Sequence, residues 1–268
     1  KNIKKENNVN PKISIITITY NSERTLEQTI KSVIEQNYNN LEYIIIDGGS
    51  KDKTLDIIKK YEDKIAYWVS ERDHGISDAF NKGIRAATGE IIGIINSDDQ
   101  LCDGALSYLA AHYKQETGVY RGNIMLVNPE TGNSYKEVPS MKFSLTPILT
   151  RVSHQGTFVR KDVYLKYGMY DEKCRYIMDL DMLIRYYNAG VHFQYLDYIM
   201  ANYTLGGITF GKMNKARYKE FAYVIKKNGG NSLQAAFVIC VKKIRERMGH
   251  IIPKDFVLAI RHGRNGER

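Results

Sequence analysis

Four runs of β-branched residues in the first hundred positions, each followed by a helical pattern, limit the folds open to this 268-residue chain. The runs are Ile13–Thr19, 41–46, 65–69 and 91–95. Between them, Leu26, Ile30, Val33 and Ile34 repeat at helical spacing, with Asn21 or Ser22 as the expected cap. A second helix is predicted over about 53–61. A third is capped by Ser77 and ends near Ala87, with Gly89 at the position after its C-terminus. Short, continuously apolar strands suit a sheet covered on both faces. Strand–helix alternation of this kind predicts a parallel α/β sheet, whose ligands lie beyond the carboxyl ends of the strands.

Polar residues gather at those ends: Thr19-Tyr20-Asn21, Asp47-Gly48-Gly49-Ser50, Glu71-Arg72-Asp73 and Asn96-Ser97-Asp98-Asp99. One polar strand end is routine; four in succession point to one site on one edge. Adjacent carboxylates repel unless something cationic sits between them, and a divalent ion is an economical reason for Asp98-Asp99. Taken alone, that stretch reads equally well as a solvated turn. No Gly-x-Gly-x-x-Gly or Gly-x4-Gly-Lys-Ser/Thr follows any of these strands, which weighs against a dinucleotide cofactor or a P-loop.

After Asp99 the pattern is mixed: a helix over 105–113, a hairpin of 119–127 with 134–138, a strand over 155–159 and a helix over 161–167. A helix over 175–187 carrying Asp179 and Asp181 follows, then a strand over 191–196. This reads as a second half built onto the first. Residues 232–248 form an amphipathic helix whose apolar face (Leu233, Ala236, Phe237, Cys240, Val241, Ile244, Met248) is expected to point inward. Residues 211–268 carry net +10 against +9 for the whole chain, so an anionic partner belongs to this end. A basic helix packed on the domain with a solvated face is the other reading. Three scattered cysteines fit no metal spacing and no disulfide framework. With no apolar segment behind the N-terminus and no run of about 18 apolar residues, the chain reads as cytoplasmic, or peripheral at the inner face of the cytoplasmic membrane.

From about Pro11 to Gly207 these motifs resemble a family 2 glycosyltransferase of the GT-A fold, in the branch that serves bacterial O-antigen and exopolysaccharide assembly. The matching elements are Ile13–Thr19 with Tyr20-Asn21 and Thr25-Leu26, and Asp47-Gly48-Gly49-Ser50-Lys51-Asp52-Lys53-Thr54. Asp73-His74-Gly75 through Lys82-Gly83, and Asn96-Ser97-Asp98-Asp99 at the Asp-x-Asp position, continue the match. Gly48 and Asn96 each stand where the family has Asp, and Met178 where it has Glu. The resemblance implies a nucleotide diphosphate sugar donor. Asp99 would bind Mn²⁺ or Mg²⁺, with His154 as a further metal or diphosphate contact. Asp98 would touch ribose or sugar, and Asp47 the uracil, with Thr19, Tyr20, Asn21 and Gly49 around it. Asp78, Asn81 and Lys82 would lie near ribose and diphosphate. Asp179 falls on the catalytic-base position. Because 179 and 181 cannot face the same way on a helix, Asp181 is expected to pair with Arg185 instead.

The expected organisation is a flexible lead-in over 1–11 and a GT-A domain over 12–210, split at 100/101 into nucleotide-sugar and acceptor halves. A basic helical extension over 211–268 follows. The expected function is inverting, metal-dependent transfer of a hexose or N-acetylhexosamine from a UDP-sugar to a glycan acceptor, lipid-linked by resemblance. Residues 211–268 would meet an anionic membrane surface; no recognised module supports nucleic acid. A non-catalytic nucleotide- or glycan-binding module and a sugar-phosphate nucleotidyltransferase are the rival readings. The latter lacks a Gly-rich basic loop after the first strand, where Tyr20-Asn21-Ser22-Glu23-Arg24 stands.

Overall fold

The structure, a computed structural model, describes residues 10–147, 150–206 and 214–249. Most of the expected lead-in, residues 211–213 and everything from 250 onward lie outside the described residues.

Strand β1 (Ile13–Thr19) lies between β2 (Leu41–Asp47) and β4 (Ile91–Ile94), parallel to both, and β3 (Tyr67–Ser70) adds in parallel beyond β2. The register pairs Thr19 with Asp47 and Asp47 with Ser70, so the polar strand ends share one edge. At β4 the direction changes, because β8 (Thr157–Arg160) pairs with it antiparallel. Gly93 makes this junction possible: a Cβ there would stand 2.6 Å from the Phe158 ring. Beyond β8 come β6 (Val119–Val127), β9 (Phe193–Thr204) and the edge strand β5 (Gln100–Leu101), with β7 (Ser134–Glu137) paired on β6. The second half therefore continues the sheet of the first, giving nine strands in one sheet among the described residues.

Alternate strand residues feed two cores. Ile13, Ile15 and Ile45 face helices α1 (Leu26–Ile34), α2 (Thr54–Lys60) and α4 (Ala105–Ala111). Ile16, Ile44 and Ile46 face α3 (Ile76–Ala86), α5 (Lys161–Tyr167), α6 (Met178–Asn188) and the C-terminal helices α7 (Lys215–Lys227) and α8 (Ser232–Gly249). At the sheet edge opposite the polar strand ends, the buried Glu42 carboxylate accepts from Lys12 Nζ at 2.7 Å, Ser14 Oγ at 2.5 Å and the Thr88 N–H at 2.7 Å.

Several expectations shift. Helix α1 begins at Leu26, with Thr25 at the N-cap position making no side-chain cap, and α3 begins one residue before Ser77. Ser77 is inside that helix and donates to the Cys174 carbonyl at 2.7 Å. Gly89 is not in the left-handed region; it is needed because a Cβ would meet Ser14 Oγ at 2.5 Å and the Lys12 carbonyl at 2.7 Å. Helix α7 is not an appendage, since its Phe221, Val224 and Ile225 are buried in the same core as α3 and α6. Helix α8 is turned over relative to the expected packing. Ala235 and Val238 are its buried residues, while Leu233, Phe237, Cys240 and Ile244 face solvent.

Candidate functional site

A cleft of about 840 Å³ opens at the polar edge, where the two halves meet. Its first wall is the end of β1. Thr19, Tyr20 and Asn21 line it, and Asn21 sits in the left-handed region at φ 50. Asn21 holds that turn by accepting from the Lys51 N–H at 2.9 Å and donating its own N–H to Ser50 Oγ at 2.7 Å. Ser22 and Ser97, from turns 75 residues apart, share a hydroxyl hydrogen bond of 2.8 Å.

Asp47 and Gly49 do not line the cleft. The Asp47 carboxylate is fully buried and accepts from Ser50 Oγ and N–H, the Gly49 N–H and Ser70 Oγ, at 2.5 to 3.1 Å. In this structure it shapes the turn that faces Tyr20. Gly48 leaves room for Asp73, because a Cβ there would stand 2.7 Å from Asp73 Oδ2, and Asp73 lines the cleft instead.

Of the α3 trio, only Asp78 reaches the cleft. It accepts from the His74 N–H at 2.9 Å and lies 3.4 Å from Lys82 Nζ. Burial works to raise its pKa, and the His74 N–H and Lys82 outweigh it, leaving the carboxyl below its usual range. Lys82 is drawn to Glu71 at 2.8 Å and to the Arg72 carbonyl at 3.2 Å. Asn81 is a staple between the halves: its amide donates to the Tyr170 carbonyl and Glu172 and accepts from the Tyr170 N–H.

The two adjacent carboxylates part company. Asp98 lines the cleft; Asp99 is fully buried behind it. Asp99 Oδ2 accepts from Gln155 Nε2 at 2.8 Å and Oδ1 from the Thr204 N–H at 3.0 Å. Burial first, and the Asp98 charge second, push the Asp99 carboxyl up to about 7. The position expected of the direct metal ligand is thus held inward by the second half, and Asp98 is the carboxylate facing the open space.

Opposite stands a pair from the second half. His154 Nδ1 lies 3.1 Å from Asp179 Oδ2, and the His154 ring packs edge-on against Phe80. Burial lowers the pKa of His154, but Asp179, Asp99 and Asp98 together outweigh it and leave it raised. Asp181 points the other way, into the core, to Arg185 Nε at 3.0 Å, Lys227 Nζ at 2.9 Å and Asn228. Four buried polar atoms without a hydrogen-bond partner among the described residues are Thr19 Oγ1, Asn96 Oδ1, His154 Nε2 and Asp179 Oδ1, and all four residues line this cleft. Burying such groups unpaired is costly, which is the mark of a surface shaped for a ligand.

A divalent ion is testable against this donor set. Among the described residues no three His, Cys, Asp or Glu side chains converge on a metal-holding point. One or two protein groups, the Asp98 carboxylate and His154 Nε2, with diphosphate oxygens completing the shell, fit an ion that is bound mainly through its substrate.

Three residues that the sequence reading passed over support the site. Gln155 ties the Asp98–Asp99 turn to the second half. Arg121, fully buried, donates to Thr157 Oγ1 and to the carbonyls of Ser140 and Arg151, gripping the chain that leads into His154. Burial lowers its pKa to about 10. Glu220, on α7, accepts from the N–H groups of Arg175, Tyr176 and Ile177 at 3.0, 2.8 and 3.3 Å, just ahead of α6. No local motif marks these residues; only an arginine inside a strand-like run, Val119–Val127, hinted at one of them.

Solved structures share this architecture. S. aureus TarS in complex with UDP-GlcNAc superposes with a TM-score of 0.62 at 19% identity, covering 85% of this chain and 70% of that one. The mannosyltransferase PcManGT from Pyrobaculum calidifontis, in complex with GDP-Man and Mn²⁺, gives 0.60 at 13% identity, covering 94% and 84%. The fold is that of the GT-A glycosyltransferases. Residues 14–168 match the family model "Glycosyl transferase family 2", more than half of the chain, and the chain belongs to that family. A curated relative is the GalNAc(5)-diNAcBac-PP-undecaprenol beta-1,3-glucosyltransferase of Campylobacter jejuni, 33% identical over 47% of this chain and 42% of its own. Two further curated glycosyltransferases, 29% and 28% identical, are spanned over only 64% and 62% of their length.

Proposed function

We propose that the chain is an inverting, metal-dependent glycosyltransferase that moves a hexose or N-acetylhexosamine from a UDP-sugar to a hydroxyl of a lipid-linked glycan in bacterial surface polysaccharide synthesis. One observation carries this reading: Asp98 from the donor half and the His154–Asp179 pair from the acceptor half face one cleft, with Asp179 Oδ1 and His154 Nε2 unpaired in it. The relative from Campylobacter jejuni, by its name a glucosyltransferase acting on an undecaprenyl-diphosphate glycan, supports the acceptor class. The complexes of TarS and PcManGT support a nucleotide-sugar donor.

In this reading Asp179 is the general base. His154 holds its Oδ2, so that Oδ1 is left to take the proton of the acceptor hydroxyl. That oxygen attacks the anomeric carbon from the face opposite the diphosphate. The bond from the anomeric carbon to the diphosphate oxygen breaks, its electron pair leaves with UDP, and an α-linked donor yields a β-linkage. Thr19, Tyr20 and Asn21 form the wall for the base, and Asp78 and Asp73 lie toward the ribose. Asp47 and Gly49 act through the turn they hold, and Asn81 and Lys82 through the helix they anchor. Asp98 with His154 would hold Mn²⁺ or Mg²⁺, which would supply positive charge against the leaving diphosphate.

The test is a donor screen with UDP-glucose, UDP-galactose, UDP-GlcNAc, UDP-GalNAc and GDP-mannose, with Mn²⁺ or Mg²⁺ and a lipid-linked acceptor. Asp179→Asn is expected to lose transfer by about 10²-fold or more while still binding UDP. Full transfer by that variant would remove the base assignment. UDP binding without turnover on any donor would favour a binding module.

A further inference from the structure

Helix α8 is apolar on two sides. Its buried side holds Ala235 and Val238, with Ile239 half-buried beside them. On the opposite side Leu233, Phe237, Cys240 and Ile244 follow at +4, +7 and +11, a single stripe along the helix. Leu233 is 81% exposed, Phe237 54% and Ile244 52%, and Leu233 is the most exposed large hydrophobic among the described residues. Lys243 and Arg247, both exposed, border the stripe along one side.

A helix on a soluble domain turns its widest apolar stripe inward. Here α7 already covers the sheet, and the narrow Ala235–Val238 side suffices to hold α8 in place. The wider stripe is left outside, bordered by cations, within a region of net +10 on a chain whose remainder is near neutral. Apolar residues beside lysine and arginine are the pattern of a helix lying in a lipid interface. Charge chooses between the occupants. A second copy of this chain would bring the same cations against these, whereas an anionic bilayer complements them, each adding roughly fivefold to partitioning.

We propose that the outer face of α8 docks the domain on an anionic phospholipid surface, with Leu233, Phe237 and Ile244 in the acyl boundary and Lys243 and Arg247 at the headgroup phosphates. This goes beyond the transfer reading and does not depend on it, since vesicle binding is measured without donor or acceptor.

The test is co-sedimentation of the full chain with vesicles of phosphatidylcholine alone and of phosphatidylcholine with one third phosphatidylglycerol. Binding is expected only with phosphatidylglycerol, weakening as salt rises. Leu233→Glu with Phe237→Glu is expected to reduce it by about tenfold or more. Lys243→Glu with Arg247→Glu should also weaken it, and should flatten its salt dependence. Because these side chains are exposed, melting temperature and UDP binding should stay at the parent values. The proposal falls if the parent chain ignores the anionic vesicles or if the Leu233/Phe237 variant binds them equally. It also falls if light scattering shows that this variant only converts a dimer to a monomer.

Discussion

At Asp99 both carboxylate oxygens are engaged from the second half, by the Gln155 amide and the Thr204 N–H, while its neighbour Asp98 faces the cleft. Asp98→Asn is therefore expected to abolish the metal-dependent part of UDP binding. Asp99→Asn, which can still accept from Thr204, should retain it and lose about 1–2 kcal/mol of stability. Calorimetric titration of UDP with and without Mn²⁺ separates the two; the reverse pattern would return the ligand role to Asp99. The sequence shows the pair of carboxylates but not which one turns inward, because that choice is made by partners 56 and 105 residues away. Glu42 illustrates a residue with no catalytic part. Burial tends to raise its pKa, but hydrogen bonds from Lys12, Ser14 and Thr88 prevail and hold it at about 2 against an ordinary 4.5. A depressed carboxyl stabilises the fold above its unfolded pKa and loses that contribution as pH falls toward the folded one. Glu42→Gln should thus cost about 2 kcal/mol at neutral pH. The gap to the parent should close between pH 4.5 and about 2, as followed by urea unfolding.

Helix α6 carries Asp179 on its cleft side and Asp181 on its core side, and both ends of that arrangement depend on α7. Glu220 satisfies three N–H groups ahead of α6, whose N-cap residue, Ile177, supplies no side-chain cap. Lys227 and Asn228 hold Asp181. Glu220→Ala is expected to cost about 1–2 kcal/mol, as loss of a helix cap does. It should also lower kcat with little change in the donor KM, since the base moves and the nucleotide wall does not. A fall in stability with kcat intact would leave Glu220 a purely structural brace. The helices themselves are legible in the sequence through apolar spacing, as at Leu26, Ile30 and Val33. What periodicity misses is which of two apolar faces packs. In α8 the narrower one does: Ala235 and Val238 are buried beside α7, while Leu233, Phe237 and Ile244 stay exposed.

Across the whole molecule, the parallel half reads directly from β-branched runs ending in polar residues. The continuation into one nine-stranded sheet is less legible, since β4 meets β8 across some 65 residues of chain and only Gly93 signals the close approach. The charge step near residue 211 suggests a boundary that packing does not respect. Phe221, Val224, Ile225 and Val238 are buried in the shared core. Their burial is worth about 6–12 kcal/mol, comparable with the net stability of an ordinary domain. A chain ending at Gly206 should therefore be insoluble or lack a cooperative melt. Point substitutions on α8 are the sounder way to separate surface binding from folding.

Among the described residues the edge strand β5 pairs only with β9, through Asn202 and Ala201, and the Asp99 carboxylate waits on Thr204. Residues 99–101 are thus held from two sides: by α1, through Thr29 Oγ1 on the Asp99 carbonyl and Ser32 Oγ on the Leu101 N–H, and by a segment made a hundred positions later. As the chain leaves the ribosome, β1 to β4 and α1 can assemble among themselves and hold the backbone of the turn bearing Asp98, but the Asp99 side chain meets its partners only when Gln155 and β9 arrive. A fully braced Asp98–Asp99 turn is therefore expected only once the acceptor half is present.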